Sequence, residues 1–233
     1  MSEFPYRSAL IVGAGPGISA SVARLLAQHG VKVALAARGI QKLDSLMRET
    51  GAQAFAADAA DPQSVAKLFE DVADRMGAPE VVVYNAGARV HGPLADLDPS
   101  AVLRAISTTA YGGFLVTQQA AKCMLPLGRG AILLTGATAS VKGFAQSAAF
   151  AMGKFALRGL AQSAARELGP HGIHVAHFVI DGSVRAAQRP DPADRPDSTL
   201  DPDAIAQSYV DVLRQARSAW SLEVELRPWG ERF

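Results

Sequence analysis

The hydrophobic pattern of this 233-residue chain changes period repeatedly from its first residues to its last. Short apolar runs at Ala9–Val12, Val31–Ala36, Ala52–Ala57, Val81–Asn85, Ala131–Thr135, Ile173–Ile180 and Leu222–Leu226 read as strands. Between them, Ile18–His29, Gln41–Arg48, Gln63–Arg75, Ala101–Met124, Ala148–Leu168 and Asp203–Ala216 carry apolar residues at helical spacing. Runs such as VVVY at 81–84 and AILL at 131–134 have no polar alternation, so both faces of those strands should be covered, as in a parallel sheet. The regular strand–helix alternation predicts one doubly wound α/β domain spanning residues 1–233, with about seven parallel strands. Asp61 followed by Pro62 marks a helix start at Gln63. Glycines 30, 51, 77, 128 and 172 fall where elements should end.

One segment breaks the pattern. Residues 185–203, RAAQRPDPADRPDSTLDPD, are rich in Pro and Asp and nearly empty of large apolar side chains. Such a stretch cannot bury itself and reads as a mobile loop. It follows the sixth strand, at the carboxyl edge of the sheet, where open α/β sheets take their ligands, so it reads either as a lid or as a disordered surface insertion. Residues 215–233 hold both tryptophans, which suggests packing or a subunit contact there.

Composition narrows the function. The net charge is +1, too balanced for an electrostatic nucleic-acid binder. A single cysteine excludes an internal disulfide and a thiolate zinc site. No basic-then-apolar leader opens the chain and no apolar run approaches a bilayer span, so a cytoplasmic protein without membrane attachment is expected. His171, His174 and His177 look like a metal set, but His174 and His177 are three apart on a strand and would point to opposite faces, so no metal site is assigned.

The chemistry begins at Gly13-Ala14-Gly15-Pro16-Gly17-Ile18, between the first strand and the first helix. Glycines tighten such a turn and let backbone N–H groups approach a pyrophosphate at the helix N-terminus. A carboxylate ending the second strand would bind the ribose hydroxyls of NAD. Here Ala37 and Arg38 stand instead, and a guanidinium pairs with a 2′-phosphate, so NADP is favoured over NAD.

The turn resembles that of the short-chain dehydrogenase/reductase family, with Gly13 and Gly17 in two of its three glycine positions and Ser19 in the third. Asn85-Ala86-Gly87 after the fourth strand, Asp58 with Ala59 after the third, and FLVTQ at 114–118 are similar to further family motifs, in the family's order. The resemblance covers Ser8 to Ser183 and implies a Rossmann-type fold of strand order 3-2-1-4-5-6-7, a homodimer or homotetramer, and a small-molecule substrate. It implies that Gly13, Gly15, Gly17, Ile18, Arg38, Asp58, Ala59, Asn85, Ala86, Gly87, Lys154 and Gly182 hold the cofactor.

The same resemblance shows a departure. In the family a Tyr, four residues before a Lys, serves as acid/base; Lys154 is present, but the Tyr position is Phe150. The family's Ser falls on Ala137, with Thr138 adjacent, and its central-helix Asn falls on Thr109; in the enoyl-reductase variant the Tyr position is Ser147. The candidate catalytic set is therefore Lys154, Thr138 and Thr109, with Phe150 occupying the Tyr place. Tyr111, His91 and Asp181 are further candidates for the missing proton donor. The leading function is an NADP(H)-dependent oxidoreductase of a small carbonyl or alcohol with an altered acid/base site. The alternatives are an NADP-binding protein without catalysis, and a lyase, isomerase or cyclase reusing the cleft.

Overall fold

A computed structural model describes residues 4–186 and 189–231. Seven strands form one sheet: β1 (Ser8–Val12), β2 (Lys32–Ala37), β3 (Gln53–Ala56), β4 (Val81–Tyr84), β5 (Gly130–Thr135), β6 (Ile173–Ile180) and β7 (Glu223–Leu226). Their order is 3-2-1-4-5-6-7 and every pairing is parallel. The doubly wound sheet read from the sequence is the one observed.

The fully apolar runs are explained by two cores, one on each face. Ala9, Ile11, Val81, Val83, Ala131 and Leu133 point to one side, and their strand neighbours Leu10, Val12, Val82, Tyr84, Ile132 and Leu134 to the other. This is the two-residue period of a strand with no solvated face. The first core is closed by α1 (Ile18–Gln28), α2 (Asp44–Thr50) and, beyond the other helices in sequence, α7 (Pro202–Leu213). The second core is closed by α3 (Pro62–Met76), α5 (Gly112–Met124) and α6 (Ala148–Leu168), with α4 (Pro99–Ile106) packed against α6. Asp61 caps α3 as expected, its carboxylate accepting from Gln63 N at 3.0 Å behind Pro62.

The single helix expected over 101–124 is two helices joined by a π-helical segment, Ser107–Tyr111. Helical periodicity shows the apolar face but not an inserted residue, so the widening was invisible in the pattern. Its anchor is Tyr84, buried on β4, whose phenol donates to Thr108 O. Burial holds the Tyr84 phenol well above its ordinary pKa, so it stays protonated as a donor. Close by, a β-carbon added at Gly112 would lie 2.7 Å from Ala59 O.

The Pro- and Asp-rich segment folds around its own charges. Arg185 lies within 3.6 Å of Asp191, 3.4 Å of Asp197 and 3.5 Å of Asp201. Asp191 also accepts from the backbone of Asp197 and Thr199. Residues 187 and 188 of the segment lie outside those described. Trp220 is stacked on His174 with ring centroids 4.6 Å apart, whereas Trp229 is exposed.

Removing the Tyr84 hydroxyl isolates the tie between β4 and the π segment. Tyr84→Phe should leave Thr108 O without its donor and lower stability by about 1 kcal/mol, a fall in Tm of roughly 2–4 °C that a thermal denaturation curve would register.

Candidate functional site

The site lies where β1 and β4 part at the carboxyl edge of the sheet. Gly13 leaves β1 at φ +87 and passes so close to the segment after β4 that an added β-carbon would lie 2.6 Å from Ala86 Cα and 2.8 Å from Asn85 C. Gly13 N and Ala14 N both donate to Ala36 O at 2.9 Å, which ties the turn to the end of β2. Gly17, at φ +86, precedes the first turn of α1. Gly15 has no such demand; a β-carbon there meets nothing within 4 Å. Ser19, in the third glycine position, is wholly buried and useful: its hydroxyl donates to Gly13 O at 3.1 Å and accepts from Asn85 Nδ2 at 2.8 Å. It stitches the turn to the Asn85 side chain.

Two hollows meet at Asn85 and Gly87. One, of about 210 Å³, is lined by Gly13, Ala37, Arg38, Lys42, Asp58, Ala59 and Ala86 among others. The other, of about 430 Å³, is walled by Ile18, Arg89, Gly136, Ala137, Phe150, Lys154, Gly182 and Arg189 among others. Together they form a bent groove across the sheet edge, passing the N-terminus of α1. The tight turn at Gly13, the open backbone at Gly15 and the helix N-terminus fit a dinucleotide's phosphates, and the residues proposed from sequence to hold it line the two hollows except Gly15 and Gly17, which shape the turn. Lys42, which no motif marks, lines the smaller hollow together with Arg38 and adds a second cation there.

Lys154 is 5% exposed, and its Nζ donates to Thr135 O at 2.5 Å. No carboxylate accompanies it in the larger hollow. Burial, reinforced by the charge of Arg89, pulls its pKa down to about 8. Thr135 is itself held, its hydroxyl 2.7 Å from the buried Tyr209 phenol. Phe150 offers only its ring, with the Arg89 guanidinium 4.2 Å from the ring centroid and Lys154 Nζ 5.8 Å from it.

The other candidates are placed differently. Thr109 is buried, its hydroxyl accepting from Ala88 N at 3.1 Å, and it packs against Gly153 rather than lining the groove. Ala137 lines the cleft, whereas Thr138, one residue on, does not. Ser147 and His91 also lie outside the lining, and Tyr111 is exposed and stacked on Phe114. Asp181 approaches Arg227 at 3.9 Å and is not on the cleft wall. His177 joins a buried chain instead of a metal: Ser140 Oγ lies 3.3 Å from its Nε2, and Glu223, paired with Arg158, lies 3.0 Å from its Nδ1. Burial lowers the His177 pKa, so the ring is neutral between these partners. No group of three metal-ligating side chains occurs among the described residues. Nor is any described helix long and apolar enough to cross a membrane.

Arg89 and Arg189 are the functional candidates that sequence reading passed over. Arg89 lies two residues from His91, a proton-donor candidate, but a lone loop arginine carries no motif.

A family model described as short chain dehydrogenase matches residues 7–188. A cis-4-hydroxycyclohexanecarboxylate dehydrogenase of Sinomonas cyclohexanicum is 34% identical over 177 residues, 74% of this chain and 71% of that protein. A short-chain dehydrogenase from Rhodopseudomonas palustris has a similar structure, with a TM-score of 0.82 at 34% identity over 96% of this chain and 99% of that one. A metagenomic short-chain oxidoreductase in complex with NADP gives 0.85 at 30% identity over 97% and 99%.

Two outcomes follow from the geometry. Gly13→Ala should lower stability by at least about 2 kcal/mol, through positive φ and backbone overlap, while Gly15→Ala stays within about 0.5 kcal/mol; chemical denaturation separates them. For Lys154 the sign follows from its depressed pKa. Below pH 8 both folded and unfolded chains hold the proton, and the folded state bears the full cost of the buried charge. As pH rises from about 8 towards the ordinary 10.5, the folded chain loses its proton first and the cost fades. Lys154→Met should therefore gain about 2 kcal/mol at pH 7, after the lost bond to Thr135 O, with the gain shrinking above pH 8. A set of denaturation curves across pH reads this directly.

Proposed function

The chain belongs to the short-chain dehydrogenase family, and from that premise we propose that it is an NADP(H)-dependent oxidoreductase of a small carbonyl or alcohol, with Lys154 rather than a tyrosine as its proton donor. One observation carries the reading. Among the residues lining the larger hollow, Lys154 alone combines a buried position with a pKa near neutrality, about 8. An acid of that strength is matched to proton transfer at the operating pH, where a phenol at its usual value near 10 is not.

A bound nicotinamide supplies hydride chemistry; this chain's residues supply the cradle and the proton. Gly13, Gly15, Gly17 and Ile18 would carry the phosphates, with Asp58, Ala59, Asn85, Ala86, Gly87 and Gly182 along the dinucleotide's length. Arg38 and Lys42 favour NADP over NAD, because both cations flank the position where Ala37 replaces a carboxylate. Thr135 O fixes the lysine ammonium at the junction of the hollows, and a charged Lys154 would hand over a proton without help from Thr109 or Thr138. The segment 185–203 serves as a lid in this reading, since its Arg189 lies on the cleft wall. A homodimer or homotetramer would cover the exposed Phe114, Met152 and Phe155 on α5 and α6.

The test is a fluorescence titration with NADPH and NADH, followed by a turnover screen at 340 nm across aldehydes, ketones and alcohols. NADPH should bind at least about tenfold more tightly than NADH, and Arg38→Ala should erase most of that difference. Turnover should decline as pH rises through about 8 in the reductive direction. Absence of NADPH affinity at sub-millimolar concentration sinks the reading; NADPH binding without turnover of any carbonyl or alcohol moves the protein to the non-catalytic class.

A further inference from the structure

The larger hollow holds three cations and no anion. Arg89, Lys154 and Arg189 line it, and no Asp or Glu does. Glu231 stands behind the wall, its Oε2 3.6 Å from where a β-carbon on Gly182 would lie, and other acids are engaged elsewhere. Asp191, Asp197 and Asp201 converge on Arg185, while Arg189 of the same segment lines the cleft. Asp181 lies beside Arg227. Glu223 is bound by Arg158 and His177.

Arg89 is held in a way that leaves it ready for a ligand. Its guanidinium carbon stands 4.2 Å from the centroid of the Phe150 ring. Among the described residues, no ion pair or hydrogen bond engages its N–H groups. Stacking restrains a guanidinium through its flat face and leaves the in-plane N–H edge free, the geometry that grips a carboxylate or phosphate with two parallel bonds. Phe150 thus has a positive role at the position where the family has its tyrosine: it is a platform for an arginine. The same arginine's field reaches Lys154 across the ring, so an anion placed between them would face both cations.

We propose that the small-molecule substrate of this cleft carries an oxyanion group, a carboxylate or a phosphate, bound by the Arg89 side chain stacked on Phe150, with Arg189 closing over it. The proposal rests on the oxidoreductase reading for the identity of the site, and its test is separable from that reading. An anion in this place would also favour the charged form of Lys154, raising its pKa and keeping a proton available to the neighbouring carbonyl.

Isothermal titration of the protein, with and without saturating NADPH, against benzoate, phenyl phosphate and the neutral benzamide is the decisive measurement. At least one of the two anions should bind about tenfold more tightly than benzamide, and which one binds distinguishes carboxylate from phosphate. Arg89→Gln should abolish that preference while changing NADPH affinity by less than about threefold. Arg189→Gln should weaken the anion to a smaller degree. Arg89 is exposed in a loop, so folding of its variant is not in question. Equal binding of all three probes, or no binding of any, overturns the proposal whether or not NADPH binds. So does an Arg89→Gln variant that loses NADPH and anion affinity in parallel, because the arginine would then serve the cofactor.

Discussion

Every part of the site depends on how closely β1 and the segment after β4 approach each other. At Gly13 the two backbones leave no room for a β-carbon. That contact lets the chain turn out of the sheet at once, and it places the N-terminus of α1 over the gap between neighbouring strands. The crossovers from β1 and β4 leave on opposite faces of the sheet, so a crevice opens between them at the carboxyl edge. Ser19 consolidates the arrangement by bonding to both sides of it, Gly13 O and the Asn85 amide. A third glycine would allow closer packing but would leave the Asn85 amide without this partner. The groove's two hollows join at Asn85 and Gly87 because those residues are what the turn leans on.

The second fixed point is the end of β5. Thr135 gives its carbonyl to Lys154 and its hydroxyl to Tyr209, so one residue locks the buried lysine and α7 to the same strand. The lysine lies in the second turn of α6, and Gly153 beside it is needed because Thr109 of the π segment packs into that space. The extra residue of the π segment therefore has a structural reason. It brings Thr109 against Gly153 and Gly87 and directs Thr108 O to the Tyr84 phenol. An unbroken helix from Pro99 to Met124 would shift those contacts by about 100° of rotation. The burial that shapes this region is also what makes the lysine acidic, so the packing and the proton chemistry have one cause.

The fold was legible because it is written in period. Strands buried on both faces appear as unbroken apolar runs, and Asp61-Pro62 announces a helix start in two residues. The cofactor side was legible too, since Gly13, Asn85 and Lys154 act through backbone geometry at fixed spacings. The substrate side was not. Arg89 and Arg189 are far apart in sequence and meet only through the tertiary path of two loops. The π segment leaves no trace in an apolar pattern. Thr138 and Ala137 differ by one position, and only the extended backbone entering the short helix at 138–140 determines that Ala137 reaches the cleft. The acidic segment was read as unable to bury itself, which is correct for its apolar content. What that reading omitted is that Arg185 can organise three aspartates without any core.

The charge of the whole chain conceals this organisation. A net charge of +1 suggests an electrically bland molecule, and for long-range attraction of a polyanion it is one. Within a cleft, however, only the local balance acts, at distances shorter than the screening length of about 8 Å. Here several carboxylates are paired in other places: Glu49 with Arg24, Glu80 with Arg129, Glu223 with Arg158, and Asp191, Asp197 and Asp201 with Arg185. Each such pair removes an anion from the pool that could quench the cleft. The remainder is a hollow with no carboxylate in its lining, where a buried ammonium donates to a carbonyl and two guanidinium groups face solvent. Such a field destabilises the protonated lysine and is relieved by a bound anion. The cleft's electrostatics therefore favour a negatively charged ligand over a neutral one of the same shape, whatever the ligand's remaining structure.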